Sequence, residues 1–265
     1  MSALAAETGT TMQQKLDMLQ TFVMHHMADS HVLRLPFLTI QLPDFISLHG
    51  LTVILTAFLL IIVFGRLYRK NAPVPHGLTN LLELFVVFVR DEISVRYLGP
   101  QDGRKMTPLF CSYFFFILAL NLVGLVPSFY TATANPNVTG ALAAVTLGFM
   151  IFGAMYRNGP VGFVKGFIPR GVPWPVVILL LPIEFLSLFI KAFALMIRLF
   201  ANELSGHIVA YFMIGLTILF GLKAAPLLLM ALFIYFLEVV VAFLQAYIFT
   251  LLSAIFIGQQ YHPEH

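Results

Sequence analysis

Apolar residues occupy long continuous runs of this chain, and most charged residues lie in the segments between them. Three runs cover about residues 45–65, 108–127 and 138–156. Each is close to the roughly 20 residues that an α-helix needs to cross the hydrocarbon layer of a bilayer. The pattern therefore predicts three membrane-spanning helices, which we group as the peripheral helices of residues 45–156.

A shorter apolar segment, LLELFVVFV, lies between the first two runs. It is too short to cross a bilayer, it is interrupted by Glu83, and four charged residues follow it at positions 90–96. We expect an amphipathic helix that lies along the membrane interface or against the helix bundle. A buried helix that does not span the membrane is the alternative.

The last long apolar stretch, residues 175–258, contains glycine and proline near positions 221–226. This predicts a helical hairpin with a turn at that point. Its first arm, residues 175–220, would be about 65 Å long, roughly twice the thickness of the hydrocarbon layer. We expect a strongly tilted arm, because its polar residues keep helical phase; two upright spans with residues 198–205 in a loop are the alternative.

Composition agrees with a membrane protein, since 60% of the residues are hydrophobic, 10% are charged and the mean hydropathy is +0.92. The net charge of +3 is too small, and the basic residues too scattered, to indicate a nucleic-acid partner. The fold class predicted is an all-α polytopic membrane protein in the lipid bilayer. It has about five membrane helices plus the interfacial helix, and residues 1–265 form one membrane domain.

The basic residues also predict the orientation. Seven Lys and Arg residues lie between the first two apolar runs, whereas the SFYTATANPNV loop carries no charge. The positive-inside rule then places the N-terminal segment, residues 1–44, outside and the C-terminus in the cytoplasm. The first thirty residues resemble neither a cleavable signal nor an Arg-rich and Ser-rich presequence. We therefore expect a bacterial plasma (inner) membrane rather than the mitochondrial inner membrane.

Arg198 lies in the middle of the apolar stretch that forms the first arm of the hairpin. A guanidinium cannot escape its charge by losing a proton, and placing it at the centre of a membrane helix costs about 2.5 to 17 kcal/mol. Such residues usually face a partner or a water-filled path, so we expect Arg198 to be functional. A structural ion pair with Glu184, Glu203 or Glu238 is the alternative.

Other polar residues share the face of Arg198. Steps of seven return to nearly the same side of a helix, and this face carries Glu184, Lys191, Arg198 and Ser205, with Ser187 and Asn202 beside it. Ala194 and Ala201 border Arg198, and small residues allow a second membrane helix to approach closely. We expect a partner helix over Arg198; ordinary internal packing is the alternative.

His207 follows Arg198 by nine residues, which places it on about the opposite side of the helix. On the second arm Glu238 and Gln245 are seven residues apart and share a face. A histidine and a carboxylate on adjacent arms would suit a proton relay; a structural contact is the alternative. We expect no metal site at His25, His26 and His31, which have only one carboxylate nearby.

Two of these segments, IRLFANELSGH and LEVVVAFLQAYIFTLL, together resemble subunit a of the F-type ATP synthases. NLVGLVP at 121–127, the spacing of the polar residues around Arg198 and the amphipathic segment that ends near Arg90 support the resemblance. It extends over nearly the whole chain except the N-terminal thirty residues. It implies the fixed half of a rotary ion motor, in which two aqueous half-channels meet a rotating ring of subunit c that carries membrane carboxylates.

The resemblance also implies roles for residues. Arg198 would attract the deprotonated ring carboxylate and block direct passage between the half-channels. The outer path would contain Asn202, His207, Glu238 and Gln245, and the inner path Glu184, Ser187 and Lys191. Lys191 as a tether to Glu184 is an alternative, and Glu203 has no role in this scheme.

The partners implied are the c-ring of subunit c, the peripheral stalk subunit b and the other ATP synthase subunits, with a proton as the translocated ion and sodium as the alternative. No cofactor is expected, and without a P-loop we expect no catalytic site for ATP in this chain. Two other classes remain open. One is an ion-coupled secondary transporter, although inverted repeats are not apparent. The other is a non-transporting scaffold, in which removal of the Arg198 charge would impair assembly.

Overall fold

The structure is a computed structural model that describes residues 17, 32–35, 38–41, 47–67, 77–126, 131–168, 173–220 and 225–263. Near the N-terminus the strands β1 (Val32–Leu35) and β2 (Leu38–Gln41) pair antiparallel. This small hairpin was not predicted. The remaining described elements are helical, which confirms the all-α membrane class; the three N-terminal histidines lie outside the described residues.

Seven α-helices make up the described membrane part. They are α1 (Leu48–Leu67), α2 (Leu78–Phe88), α3 (Arg96–Gly124), α4 (Pro136–Gly148), α5 (Ala154–Lys165), α6 (Trp174–Phe220) and α7 (Ala225–Tyr261). π-Helical segments, Val89–Val95 and Phe149–Gly153, join α2 to α3 and α4 to α5. Within the described residues, five helical stretches are long and apolar enough to cross a membrane, which agrees with the number predicted.

The chain reverses direction at Gly99, so the helical segment before it packs against α3. Gly99 has φ 78° and ψ 170°, a conformation that glycine adopts without a steric penalty. On one continuous helix Phe85 and Phe114 would lie about 43 Å apart, but their ring centroids are 5.6 Å apart. Ser94 Oγ donates a hydrogen bond to the carbonyl oxygen of Gly103 at 2.5 Å across the turn.

The segment before this turn is longer than the sequence predicted. Helical conformation continues from α2 through Val89–Val95, so the charged residues at 90–96 lie within the helical segment and not after it. Two exposed ion pairs form there, Arg90 with Asp91 at 2.7 Å and Arg96 with Glu92 at 3.0 Å. Phe88 packs on Tyr247 of α7, with 5.8 Å between ring centroids. This contact agrees with the expected position against the bundle.

The helices α6 and α7 form the predicted hairpin. The 47 residues of α6 form one helix through positions 198–205, so the alternative with a loop there is wrong. At 1.5 Å per residue α6 is about 70 Å long. The two helices run antiparallel, because Lys191 contacts Gln259 while Gly206 contacts Glu238 farther along.

The core of the bundle lies where α3, α4 and α7 meet. Phe249 packs edge-on against Tyr113, with 5.5 Å between ring centroids. Thr146 Oγ1 donates a hydrogen bond to Tyr113 OH at 3.2 Å and lies 3.2 Å from Ser253 Oγ, so these buried hydroxyls satisfy one another. Cys111 is half-buried and packs against this core.

The segments around Asp102 and Arg157 lie together with the end of α7. Asp102 forms an ion pair with Arg157 at 2.7 Å and lies 3.3 Å from His262 Nε2. Asn158 Nδ2 donates a hydrogen bond to the carbonyl oxygen of Gln260 at 3.1 Å. These charged segments and the last residues of α7 therefore share one end of the molecule.

Candidate functional site

Arg198 lies on the exposed side of α6. Within the described chain no carboxylate oxygen lies within 4.0 Å of its guanidinium, so the ion pairs with Glu184, Glu203 or Glu238 do not form. The neighbouring Ile197 is 39% exposed. A permanent charge on an apolar helix face needs a partner from outside this part of the chain, such as another subunit, a lipid headgroup or water.

The surface around Arg198 is also open to a second helix. Ala194 and Ala201, which lie one turn away on either side, are both exposed, as is Ser205. No described element of this chain covers that stripe. The small side chains would let a partner helix approach the backbone of α6 closely, as the sequence predicted.

His207 is buried on another side of α6, with 3% of its surface exposed. Its Nε2 atom lies 2.9 Å from Thr131 Oγ1 and 3.3 Å from Glu203 Oε1. The imidazole stacks on Tyr211, with 5.9 Å between ring centroids. Nδ1 is buried and has no hydrogen-bond partner among the described residues. One nitrogen of His207 is therefore held by protein contacts, and the other is unpaired in the described structure.

Glu238 reaches toward the same region from α7. Both of its carboxylate oxygens are buried without a hydrogen-bond partner in the described structure. A side chain at Gly206 would collide with Glu238 Oε1, so the glycine is what allows the carboxylate to lie beside α6. An isolated buried carboxylate is very costly when charged, so Glu238 needs either a bound proton or water.

A cavity between α3, α6 and α7 can supply that water. Its volume is about 260 Å³, and its polar lining comes from Asn121, Asn202, Glu203, Ser205 and Glu238. The amide of Asn121 is 1% exposed and has no partner for either its nitrogen or its oxygen in the described chain. Unsatisfied polar groups around a space of this size make a site for several ordered waters.

Gln245 does not line this cavity but lies near the level of Arg198. Residue 206 of α6 touches Glu238 of α7, and Gln245 follows Glu238 by seven residues. Because the helices run antiparallel, seven residues along α7 correspond to about residue 199 on α6. Gln245 is 8% exposed, so its side chain is buried at about the level of Arg198 along the helix axis.

The other predicted polar residues lie toward the opposite end of α6. Ser187 Oγ donates to the carbonyl oxygen of Glu184 at 2.6 Å and lies 3.4 Å from its carboxylate. Lys191 Nζ donates to Gln259 Oε1 at 3.0 Å and lies 5.5 Å from the centre of the Phe256 ring. Lys191 forms no ion pair with Glu184, so the tether considered from the sequence is not made. These residues approach the end of the molecule where α7 finishes.

Arg198 lies between these two polar groups. Along the helix axis it is about 10 Å from Lys191 and about 14 Å from His207. The group that contains His207 contacts Thr131, in the uncharged connection, whereas Lys191 contacts Gln259 near the C-terminus. The sequence-predicted residues thus form two separate groups along α6 with Arg198 at the boundary.

Three residues of the site around His207 were not predicted from the sequence. Thr131 and Asn121 come from elements far away in the chain, and Glu203 had no role. Asn121 offered a weak signal, as an amide in the apolar run 108–127. Glu203 offered a stronger one, because it lies four residues before His207 and therefore on the same helix face. Among the described residues no cluster of three His, Cys, Asp or Glu side chains has the geometry of a metal site.

Comparison with known proteins identifies the family. The ATP synthase A chain family matches residues 50–258. A protein named ATP synthase subunit a from Anaeromyxobacter dehalogenans (strain 2CP-C) is 46% identical over 208 residues, which cover 77% of this chain and 54% of the relative. A protein of the same name from Chloroherpeton thalassium is 41% identical over an alignment of 271 positions, which covers 95% of this chain and 79% of the relative.

The chain spans about half the length of several relatives that it matches, including two more from Anaeromyxobacter. The family match begins inside α1 and ends near the C-terminus of α7, so it includes Arg198 and both polar groups. The chain therefore belongs to the ATP synthase A chain family.

Proposed function

We propose that this chain is the fixed membrane subunit through which protons cross the membrane in an F-type ATP synthase. The observation that carries the proposal is Arg198, which has no internal ion pair in the described chain and lies between two polar groups. The outer path is formed by Asn202, His207, Glu238 and Gln245, and the inner path by Glu184, Ser187 and Lys191. Sodium is the alternative ion.

In this proposal the exposed stripe of α6 faces a rotating ring of subunit c, whose copies each carry a membrane carboxylate. Arg198 keeps its charge at any physiological pH. Its attraction to a deprotonated ring carboxylate is strong because the surroundings have a low dielectric constant. A protonated ring carboxylate is neutral, so it leaves Arg198 and enters the lipid. The ring turns because one carboxylate gains a proton as the next one loses its own.

The outer path begins in the cavity lined by Asn121 and Glu203. Water there delivers a proton to Glu238, which lines the cavity, and Glu238 passes it to Nδ1 of His207. Neither group has a hydrogen-bond partner among the described residues. The proton then passes to the ring carboxylate at the level of Gln245 and Asn202. These two amides orient water but do not carry a net proton.

The inner path takes the proton from the ring carboxylate after nearly one turn of the ring. Ser187 and Glu184 provide a hydroxyl and a carboxylate in contact with each other, which suits transfer toward water. Lys191, held by Gln259, adds a positive charge on the same side. Because an arginine cannot relay a proton, Arg198 keeps the two paths from joining directly.

The other partners proposed are the peripheral stalk subunit b and the remaining ATP synthase subunits. We place the chain in a bacterial plasma membrane with the N-terminus outside. The grouping of Asp102, Arg157 and His262 at one end supports this topology, because it brings the basic connection between the first two spans to the same side as the C-terminus.

The test is coupled transport in vesicles that carry Arg198→Ala, with the amount of assembled complex measured in the same membranes. We expect assembled complexes without ATP-driven proton pumping or ATP synthesis. Arg104→Ala is the matched control, since Arg104 is exposed and lies outside both paths, and it should pump normally. Normal pumping by Arg198→Ala would refute the proposal, and loss of assembly would favour the scaffold class.

A further inference from the structure

Glu203 is the buried charged residue that the proposed function leaves without a role. It is 9% exposed, its Oε1 atom lies 3.3 Å from His207 Nε2, and it also lines the cavity. We infer that Glu203 is a positioning residue of the outer path, an inference that rests on the proposed function. It holds the proton on His207 Nε2 and balances the charge of the imidazolium, so that Nδ1 is the nitrogen that exchanges protons.

The contacts of Nε2 decide which nitrogen carries the fixed proton. Thr131 Oγ1 lies 2.9 Å from Nε2 and donates its own hydrogen to the carbonyl oxygen of Gly124 at 3.4 Å. Its lone pairs are then available to accept from Nε2. The Glu203 carboxylate can only accept when it is ionised. Both contacts therefore favour a proton on Nε2, in the way that a carboxylate fixes the tautomer of a catalytic or metal-bound histidine.

With Nε2 protonated, Nδ1 carries the lone pair of the neutral ring. It accepts a proton from Glu238, which lines the cavity and takes its own proton from the water there, so the transfer leaves a carboxylate and an imidazolium. Returning that proton from Nδ1 to Glu238 restores the neutral ring. The Nε2 proton and the Glu203 charge do not change in either step, so each transfer moves one proton and nothing else.

The charge of Glu203 matters because His207 is almost completely buried. A buried imidazolium without a counter-ion is costly, and a carboxylate in contact with it removes most of that cost. From α6 the ring is also faced by Tyr211, and from α7 by Glu238, with Tyr235 next to both. The contact from the connection after α3, Thr131, is uncharged.

The experiment measures ATP synthesis by the purified synthase complex in proteoliposomes, at a fixed membrane potential and a fixed inner pH, while the outer-side pH is varied. For Glu203→Gln we expect the outer proton concentration that gives half-maximal rate to rise about tenfold or more. The rate at saturating proton concentration should stay within about threefold. Glu203→Asp, which keeps the charge, should restore most of the proton affinity.

Glu92→Gln is the matched control. It is the same substitution in a carboxylate that also pairs with a cation four residues away, but its side chain is 57% exposed. It should leave the pH profile unchanged. A uniform fall in rate at every pH for Glu203→Gln, or no change at all, would overturn the inference.

Two further variants keep the outcomes distinct. If Glu203→Gln does not assemble, Glu203→Met must show the same loss of proton affinity, and failure of both to assemble would mean that Glu203 is structural and the inference wrong. Arg198→Ala is measured in the same series. If it synthesises ATP normally, the proposed function fails; if it is inactive while Glu203→Gln behaves as wild type, only the role of Glu203 fails.

Discussion

Replacement of Gly206 by alanine gives a sharp test of the contact between the two long helices. The new methyl carbon would collide with Glu238 Oε1 and would lie 3.2 Å from Cδ and 3.3 Å from Cγ of that side chain. Carbon atoms in favourable contact are about 3.5–4.0 Å apart. The carboxylate must therefore retreat from α6, by an amount that approaches about 1 Å at its nearest oxygen.

A displacement of that size is enough to impair proton transfer without unfolding the protein. A misplacement of about 1 Å at a reacting group costs up to about 100-fold in rate, so we expect a 10- to 100-fold loss of coupled pumping. Alanine is a better helix former than glycine by about 1 kcal/mol. A weakened α6 therefore cannot be the reason for the loss, and the amount of assembled complex should be unchanged.

The assay is ATP-driven acidification of inverted membrane vesicles, normalised to assembled complex. Glu238→Asp shortens the colliding side chain by one methylene, so adding Gly206→Ala to it should cause little further loss. Wild-type pumping by Gly206→Ala would refute this reasoning. Equal additional losses in the wild-type and Glu238→Asp backgrounds would also refute it, because the effect would then not act through the carboxylate.

Two further predictions concern the scaffold. Gly258→Ala should reduce the amount of the chain in membranes, because a Cβ there would lie 2.5 Å from the backbone oxygen of Tyr97, which cannot rotate away. Gly148→Ala is the control, since its Cβ would have nothing within 4 Å. Equal amounts of the two variants would contradict the contact between Gly258 and Tyr97. Phe249→Ala should lower the free energy of unfolding by about 3–5 kcal/mol, because the buried ring of Phe249 packs on Tyr113. An unchanged Tm of the purified complex would exclude a loss of this size.

The sequence predicted the long C-terminal helices well because their signal is local. An apolar stretch of more than forty residues with polar residues at seven-residue steps is compatible with few structures other than one long helix, and α6 is indeed one helix. The charge of Arg198 within that stretch was conspicuous for the same reason. Its exposure on α6 follows from helical phase alone, since its face differs from that of His207.

The parts that were missed depend on contacts between distant segments. Thr131 meets His207 across 76 positions of the chain, and no local pattern specifies that meeting. The reversal at Gly99 was missed because the charged residues that follow α2 were interpreted as the end of a helix. These charged residues continue the helix instead, because ion pairs such as Arg96 with Glu92 neutralise their charges on the surface.

The role of Arg198 as a barrier between two proton paths is tested most directly by passive proton flux. Vesicles that carry Arg198→Ala are given a potassium diffusion potential without ATP, and proton entry is followed with a pH dye. We expect a leak well above that of wild-type vesicles, and Glu238→Gln in the same chain should suppress it by closing the outer path. A fully assembled Arg198→Ala complex that is no more permeable to protons than the wild type would mean that Arg198 does not separate the two paths.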